Sequence, residues 1–236
     1  PYTYSDGTRI VNAMRDYKGY ITIKQALSDS RNIPALKVFQ QVDKTKIANF
    51  VHSFGIDYGK NLYESASIGA FEGVSPLQMS AAYGTYARGG YYIEPYSYTI
   101  ITYRDNNEVK EKIYKKEKVC SEKTAKYINE ILLYAIKYGK ILGTLEVGNS
   151  EVAGKTGTTT IDRAKTDALG ISEYSVLDSW ACIYSRDYSI SLWYGYDGVT
   201  STNYMLNIDA TLGRRRIIKK LVKQIISGNQ KLLTSS

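Results

Sequence analysis

Residues 152–160 read Val-Ala-Gly-Lys-Thr-Gly-Thr-Thr-Thr, and this stretch decides the fold. β-branched residues alternate there with glycines, which predicts a strand over Glu151–Thr159. Two more strand-like segments follow at Asp178–Ser185 and Tyr188–Tyr196, and only two residues separate them. So short a connection predicts an antiparallel pair.

The centre of the first strand carries residues suited to an anionic or carbonyl ligand. Lys155 supplies positive charge, the hydroxyls of Thr156 and Thr158 donate hydrogen bonds, and Gly157 lets a peptide-like substrate lie against the backbone. The N–H of Thr158 could face a developing oxyanion. Taken alone, the triplet recurs by chance, and a purely structural strand explains it better.

Helices are predicted on both sides of these strands. Expected N-caps or first-turn residues are Thr22, Pro34, Asp43, Ser75 and Ser121, with helices ending near Leu27, Val42, Gly55, Gly89 and Gly139. A closing helix at Thr211–Ser227 is amphipathic, with its Arg and Lys outward and these residues inward: Ile217, Ile218, Leu221, Val222, Ile225 and Ile226. Residues 91–118 form a hairpin excursion around Asn106-Asn107. The order of elements predicts an α+β fold, an antiparallel sheet with flanking helices.

A second polar cluster, Ser30-Arg31-Asn32, lies between the first two predicted helices. A loop serine followed two residues later by asparagine can relay a proton and hold a substrate amide. It can equally cap a helix, because Asn32 precedes Pro34. The cap is the simpler interpretation when this cluster is taken alone.

Composition narrows the possible functions. The net charge is +8, from 31 Lys and Arg against 23 Asp and Glu, which favours anionic partners such as nucleic acid, lipid headgroups or wall polymers. No zinc-finger spacing or RNA-recognition pattern accompanies that charge, so no nucleic-acid partner is expected. Cys120 and Cys182 have no metal-ligand spacing and His52 is the sole histidine, so no metal or cofactor is predicted. No apolar run is long enough to cross a membrane.

Together, the two clusters stand in the order of enzymes that recognise penicillin, which carry Ser-x-x-Lys, then Ser-x-Asn, then Lys-Thr-Gly. The chain resembles the class A (bifunctional) penicillin-binding proteins over five ordered segments. These are Ile21–Ala35, Gly73–Tyr83 with Gly89-Gly90, Ala153–Thr159, Asp178-Ser179-Trp180 and Trp193–Asp197. The resemblance implies a transpeptidase fold like that of penicillin-binding proteins and serine β-lactamases.

The resemblance also implies roles for single residues. Ser30 would pass a proton to the leaving amine, Asn32 would hold the substrate amide, and Lys155 would supply charge. Thr156 and Thr158 would bind the terminal carboxylate, beside Gly157.

One element of the family pattern is absent from the sequence. No Ser or Thr is followed by Lys at the third position, so the chain contains no nucleophile of the family type. We therefore expect residues 1–236 to be a partial transpeptidase domain, inactive alone. The nucleophile, the glycosyltransferase domain and the membrane anchor of the family would lie upstream, and the first of these could be supplied as a separate chain.

The expected reaction is D,D-transpeptidation, an acyl transfer from D-Ala-D-Ala through an acyl-serine intermediate. The implied partners are peptidoglycan stem peptides and β-lactam antibiotics, and the implied location is the outer face of the bacterial cytoplasmic membrane. A serine β-lactamase or penicillin-sensing receptor would share the Lys-Thr-Gly strand but not the segments at Gly73–Tyr83 and Trp193–Asp197. A non-catalytic wall-binding domain and a nucleic-acid-binding protein remain as alternatives from other classes.

Overall fold

A computed structural model of the chain describes residues 2–71, 73–139 and 151–225. The helices are α1 (Ile23–Ser28), α2 (Asn32–Gln40), α3 (Lys44–Ser53), α4 (Pro76–Ala87), α5 (Glu122–Tyr138), α6 (Arg163–Leu169) and α7 (Asn207–Ile225), with a 3-10 turn at Glu64–Ile68. The strands are β1 (Tyr2–Thr3), β2 (Arg9–Ile10), β3 (Tyr91–Ile93), β4 (Ile100–Thr102), β5 (Val109–Glu111), β6 (Lys116–Lys118), β7 (Ala153–Thr160), β8 (Ser175–Tyr184), β9 (Ser189–Gly195) and β10 (Met205–Leu206).

The main sheet is antiparallel and centred on β8. β7 pairs with one edge of β8 from Ala153 opposite Tyr184 to Thr160 opposite Val176, and β9 and β10 also pair with β8. Among the described strands β7 pairs with β8 alone, so its other edge is open. The α+β prediction with an antiparallel sheet and flanking helices is confirmed.

Both faces of the sheet are covered by helices. On one face Ala181 and Ile183 of β8 pack against Ile218 and Val222 of α7. On the other face Tyr184 packs near Tyr83 of α4, with ring centroids 6.1 Å apart. The sheet is therefore the middle layer of the molecule, and the predicted strands form its core.

A buried polar network ties α5 to both α4 and the sheet. The Tyr184 hydroxyl donates to Oδ1 of Asn129 at 2.7 Å, and Nδ2 of Asn129 donates to the carbonyl of Tyr86 at 3.3 Å. Burial raises the pKa of Tyr184 well above its ordinary value, so its hydroxyl keeps its proton and the network stays neutral at physiological pH.

The predicted helix caps are confirmed. Thr22, Asp43 and Ser121 each accept a hydrogen bond from a backbone N–H in the first turn of their helix. Ser75 and Gln78 form the predicted capping box, with the Ser75 N–H donating to Oε1 of Gln78 at 2.9 Å. α2 begins at Asn32, two residues before Pro34, and the proline still lies in the first turn.

The excursion at residues 91–118 has two small pairs of strands. β4 pairs with β5 as the predicted hairpin, and β3 pairs with β6 at its base. Asn107 lies in the connecting turn with a φ of 55°. Its polar, exposed strands keep the excursion outside the core.

The inward face of α7 differs from the prediction. The helix begins at Asn207, and its buried stripe contains Ala210, Arg214, Ile218 and Val222. Ile217, predicted to face inward, is exposed, and Arg214, predicted to face outward, is buried. Residues four apart share this stripe, and an arginine occupies one of its positions. Ile226 and Ser227 lie outside the described residues.

Candidate active site

The two polar clusters identified in the sequence meet in the structure. Nζ of Lys155 donates a hydrogen bond to Oγ of Ser30 at 2.9 Å, although the two residues are 125 positions apart. The same nitrogen donates to the carbonyl oxygen of Thr156 at 2.9 Å. The turn between α1 and α2 and the strand β7 thus form two adjoining walls, which we call the loop wall (residues 30–32) and the strand wall (residues 155–158).

Local backbone geometry presents Ser30 to the lysine. Ser30 follows α1 with a φ of 53°, in the left-handed region that serine rarely adopts. Its N–H donates to the carbonyl of Leu27 at 3.1 Å, and the N–H of Arg31 donates to that of Ala26 at 2.9 Å. The left-handed residue reverses the chain between α1 and α2 and leaves the Ser30 side chain exposed. Such strain in a non-glycine residue is found preferentially at functional sites.

The interpretation of Ser30-Arg31-Asn32 as a helix cap is wrong. The N-cap of α2 is Arg31, which makes no side-chain capping bond. Asn32 is already inside the helix, and its Nδ2 reaches the carbonyl of Val11 at 2.9 Å. The Oγ of Ser30 is engaged by Lys155. Both polar side chains are therefore available for tertiary contacts.

The segment before α1 holds the loop wall from behind. Arg31 is buried and makes a bidentate contact with the Asp16 carboxylate, in which its Nη2 donates to Oδ2 at 3.0 Å. Buried Asn12 accepts from the N–H of Ile33 at 3.2 Å and donates to the carbonyl of Asp16 at 3.0 Å. The hydrogen bond from Arg31 lowers the pKa of Asp16, so the pair stays ionised. Sequence analysis missed Asp16 and Asn12, because nothing local in the sequence relates them to α2.

The strand wall divides its side chains between the two faces of the sheet. Lys155 and Gly157 lie opposite Cys182 and Trp180 of β8, whereas Thr156 and Thr158 lie opposite Ala181 and Ser179. Alternation therefore directs the lysine to the face covered by α4 and the two threonines to the face covered by α7. The outer half of β7, from Gly157 onward, is exposed.

Lys155 lies in an environment that disfavours its charge. Burial lowers the pKa of its ammonium from 10.5 to about 8, and the positive charge of Arg214 lowers it further. A substantial fraction of neutral amine is then present near pH 8. A hydrogen-bonded lysine in this state can both donate and accept a proton.

The two glycines of β7 are required for different reasons. A Cβ on Gly154 would lie 2.4 Å from the carbonyl oxygen of Cys182, so only glycine permits this strand spacing. A Cβ on Gly157 would meet its nearest neighbour, Cβ of Trp180, at 3.5 Å, an ordinary contact. The fold thus accommodates a side chain at 157. Absence of a side chain there leaves room for a ligand beside the open edge.

A cavity of about 550 Å³ opens beside the strand wall. Lys155 through Thr159 form one side, and the segment before α4, α4 itself and the β8–β9 hairpin form the others, with Phe71, Met79, Tyr83, Trp180 and Trp193 among its apolar lining. Nε1 of Trp193 donates to Oδ1 of Asp178 at 2.8 Å, which ties β9 to β8 at this side of the cavity. The volume suits a small peptide or drug-sized molecule.

Arg214 is a buried cation that sequence analysis did not connect with the site. Its Nη1 lies 2.8 Å from the carbonyl oxygen of Gly157 and 2.9 Å from Oγ1 of Thr158. A signal was present in the sequence, because Ala210, Ile218 and Val222 share its side of α7 at intervals of four. An arginine within an apolar stripe indicates a buried polar partner.

The remaining predictions concern the cysteines, metal binding and membrane spans. Cys120 and Cys182 are free thiols, and burial raises the pKa of Cys182 to about 11, which keeps it protonated. Within the described ranges, no cluster of His, Cys, Asp and Glu is suited to a metal ion. No helix in that part of the chain has the length and apolar character needed to cross a bilayer.

Comparison with known proteins gives a consistent result. The family model of the penicillin binding protein transpeptidase domain matches residues 1–208. Penicillin-binding protein 1A/1B of Bacillus subtilis is 35% identical over 233 residues, which are 97% of this chain and 25% of that protein. The chain therefore spans about a quarter of the length of this relative.

Solved structures share the fold at lower sequence identity. The penicillin-binding protein PonA1 from Mycobacterium tuberculosis has a TM-score of 0.71 at 18% identity, covering 93% of this chain and 61% of that one. Penicillin-binding protein A from M. tuberculosis, as a penicillin G acyl-enzyme complex, has a TM-score of 0.68 at 16% identity, covering 92% and 53%. At these identities the likeness shows a shared fold.

Proposed function

This chain belongs to the penicillin-binding protein transpeptidase domain family, and from that membership we propose that it forms two walls of the active site of a peptidoglycan D,D-transpeptidase. The substrates are the D-Ala-D-Ala ends of stem peptides, and β-lactams bind at the same place. The complete site also needs a nucleophilic serine, which residues 1–236 do not carry in a Ser-x-x-Lys motif.

The contact between Lys155 and Ser30 is the observation that supports this proposal most directly. If β7 and the turn at Ser30 served only the fold, they would not need to contact each other. They do so through a hydrogen bond of 2.9 Å between Lys155, whose pKa is lowered, and the exposed Ser30. Because Nζ donates to Oγ, the hydroxyl hydrogen of Ser30 is left to donate elsewhere. This arrangement is suited to proton transfer towards a leaving amine.

In the acylation step, the serine oxygen forms a bond with the penultimate D-Ala carbonyl carbon, and the peptide C–N bond breaks. The proton lost by the serine reaches the departing D-Ala nitrogen through Ser30, with Lys155 adjusting the proton affinity of that hydroxyl. The N–H of Thr158 would donate to the oxyanion, and removal of one such donor typically slows acyl transfer by about 10²–10³-fold.

In the second step, an amine from a neighbouring stem peptide attacks the acyl-serine ester. A new C–N bond forms, the C–O bond breaks, and the serine oxygen regains a proton that the amine loses. Asn32, which is anchored to Val11 through Nδ2, would orient the substrate amide with its side-chain carbonyl. Thr156 and Thr158 would bind the terminal carboxylate, and the peptide would lie along the open edge of β7 beside Gly157.

The proposal places the working protein at the outer face of the bacterial cytoplasmic membrane, where stem peptides are cross-linked. Its partners are the stem peptides, β-lactams and the part of the protein that carries the nucleophile, in the same chain or as a separate one. Residues 1–236 by themselves are expected to be inactive, because the covalent route requires that serine.

A labelling experiment with fluorescent penicillin tests the proposal. A complete protein in which a Ser-x-x-Lys segment accompanies this chain, as the proposal requires, should be labelled, and the isolated 236-residue chain should not. Lys155→Met in the complete protein should slow labelling by about 10²–10⁴-fold, the usual contribution of a general acid or base. Lys165→Met is the matched control, because Lys165 is exposed on α6.

Three results would contradict the proposal. A labelled band at the mass of the isolated chain would show that the chain carries its own nucleophile. Equal labelling of Lys155→Met and the wild type would remove Lys155 from the chemistry. A complete protein that is never labelled would favour the non-catalytic wall-binding alternative.

A further inference from the structure

The guanidinium of Arg214 is buried, and no carboxylate among the described residues pairs with it. Its residue is 5% exposed, and it lies between α7 and the back of the strand wall. All four acceptors of Nη1 are uncharged oxygens: the carbonyls of Gly157 and Trp180 at 2.8 and 3.4 Å, and the hydroxyls of Thr158 and Ser179 at 2.9 and 3.1 Å. In the described part of the chain no acidic group forms an ion pair with it.

The chain contains a contrasting case. Arg31 is similarly buried, and it is neutralised by the bidentate contact with Asp16. A buried charge is normally paired in this way, because desolvation of an isolated ion is expensive. Burial lowers the pKa of Arg214 to about 10, the opposite direction from Arg31, whose pKa the Asp16 hydrogen bond raises. Among residues 2–71, 73–139 and 151–225, Arg214 therefore has no anionic partner.

The position of Arg214 indicates where an anion would bind. Thr158, which accepts from Nη1, is exposed on the outer half of β7, so its hydroxyl joins the buried cation to the surface of the site. An oxygen that accepts from a guanidinium turns its own hydrogen away from that cation. The Thr158 hydroxyl is thereby fixed as an outward donor.

We propose that Arg214 is a positioning residue that makes the strand wall selective for ligands with a terminal carboxylate, acting through the Thr158 hydroxyl. The inference rests on the proposed function and adds to it the residue that sets the charge preference. Arg214 does not touch the ligand. It polarises and orients the donor that does, and its positive charge completes the neutralisation of the ligand's carboxylate.

The test compares an acid with its ester in the complete protein. Acylation rate constants are measured with benzylpenicillin and with benzylpenicillin methyl ester, which differ only in the carboxylate. Arg214→Met should slow acylation by the acid by about 10- to 100-fold, which is the range expected for the loss of a charge-assisted interaction. The same substitution should slow acylation by the ester by less than about threefold. Arg214→Lys, which keeps the charge, should restore part of the preference.

Matched variants separate this role from a structural one. Arg216→Met, on the exposed side of the same helix, should leave both rate constants unchanged. Thr158→Val keeps the shape but removes the hydroxyl, and it should reduce the preference for the acid as Arg214→Met does. The acid-to-ester ratio is measured within each variant, so partial misfolding, which removes both activities equally, does not alter it.

Each outcome has a definite meaning. An equal loss with acid and ester in both Arg214→Met and Thr158→Val would overturn the inference and leave the proposed function intact. A wild type that reacts equally with both ligands would do the same. A wild type that reacts with neither would overturn the proposed function, and the inference with it.

Discussion

The two walls of the candidate site are each backed by a buried arginine, and the two arginines are held in opposite ways. At the loop wall, Arg31 is paired with Asp16, and the adjoining Lys18 is paired with Asp29 at 2.8 Å. Lys155 of the strand wall and Arg214 behind it bond only to uncharged oxygens among the described residues. The pKa values of Asp16 and Asp29 are lowered, as are those of Lys155 and Arg214.

This difference distinguishes the charges that stabilise the site from the charges that are suited to binding a ligand. Paired charges on the loop wall satisfy each other and fix the turn that presents Ser30. The cations at the strand wall have no charged partner in the described part of the chain, which reduces stability, and such strain is common where a ligand supplies the missing charge. The strand wall is therefore the side expected to respond to an anion, and the loop wall the side expected to respond to loss of a partner.

The largest effect is expected from breaking the pair on the loop wall. Asp16→Ala leaves Arg31 buried without its main partner, and the melting temperature should fall by about 5 °C. Glu117→Ala is the control, because its partner Lys115 is 82% exposed and such pairs contribute little. Equal melting temperatures for Asp16→Ala and the wild type would show that the loop wall does not depend on this pair.

A second effect should appear in the pH dependence of stability. Because folding lowers the pKa of Lys155 from 10.5 to about 8, the unfolded chain binds more protons than the folded one between these values. The loss of stability caused by burying the charged Lys155 is complete below its pKa in the folded state. It disappears as the pH rises towards its pKa in the unfolded state. Wild type should therefore gain roughly 2 kcal/mol of unfolding free energy relative to Lys155→Met between about pH 7 and about pH 10.

Denaturant titrations of both proteins across this range measure that gain. The subtraction removes contributions from the cysteines and tyrosines, which the two proteins share. Parallel stability curves would mean that Lys155 is not desolvated as described.

A smaller change in stability is expected when the unpaired cation is removed. Arg214→Met loses hydrogen bonds to Gly157 and Thr158 but also removes an unneutralised buried charge, so the unfolding free energy should change by less than about 1 kcal/mol. Urea unfolding of this variant beside Asp16→Ala compares the two arginine environments directly. A loss as large as that of Asp16→Ala would contradict the contrast between the walls.

The smallest effect concerns the coupling between the two cations. The charge of Arg214 contributes to lowering the pKa of Lys155, so Arg214→Met should raise that pKa by less than about one unit. NMR titration of the Lys155 side chain measures this shift, and Arg216→Met should leave it unchanged. A fall in the pKa would contradict the described arrangement.

Much of this architecture is predictable from short-range patterns. Thr22, Asp43, Ser75 and Ser121 cap their helices because each needs only the next three residues to do so. Strands β7, β8 and β9 were predicted within three residues at each end, because branched and aromatic residues favour a pleated, half-buried surface. The order of the motifs also predicts that Ser30 and Lys155 belong to one site.

The features that were not predicted from the sequence depend on contacts that no local pattern encodes. Asp16 and Arg31 are separated by 15 positions that include α1, so their pairing follows only from tertiary packing. The two-residue strand β10 is too short to show a period. Arg214 was assigned to the surface from its residue type, whereas its spacing with Ala210 and Ile218 places it inside. Spacing outweighs residue type when a helix is held against a sheet on one side.

The two glycines of β7 are subject to different kinds of selection, one for folding and one for activity. A side chain at position 154 would force two strands apart. Such a substitution is therefore selected against in any protein that needs this fold, whatever its activity. Position 157 has room for a methyl group, so a substitution there passes folding and is removed only if the protein must turn over substrate. A lineage that had lost catalysis would thus be expected to keep glycine at 154 and to tolerate other residues at 157.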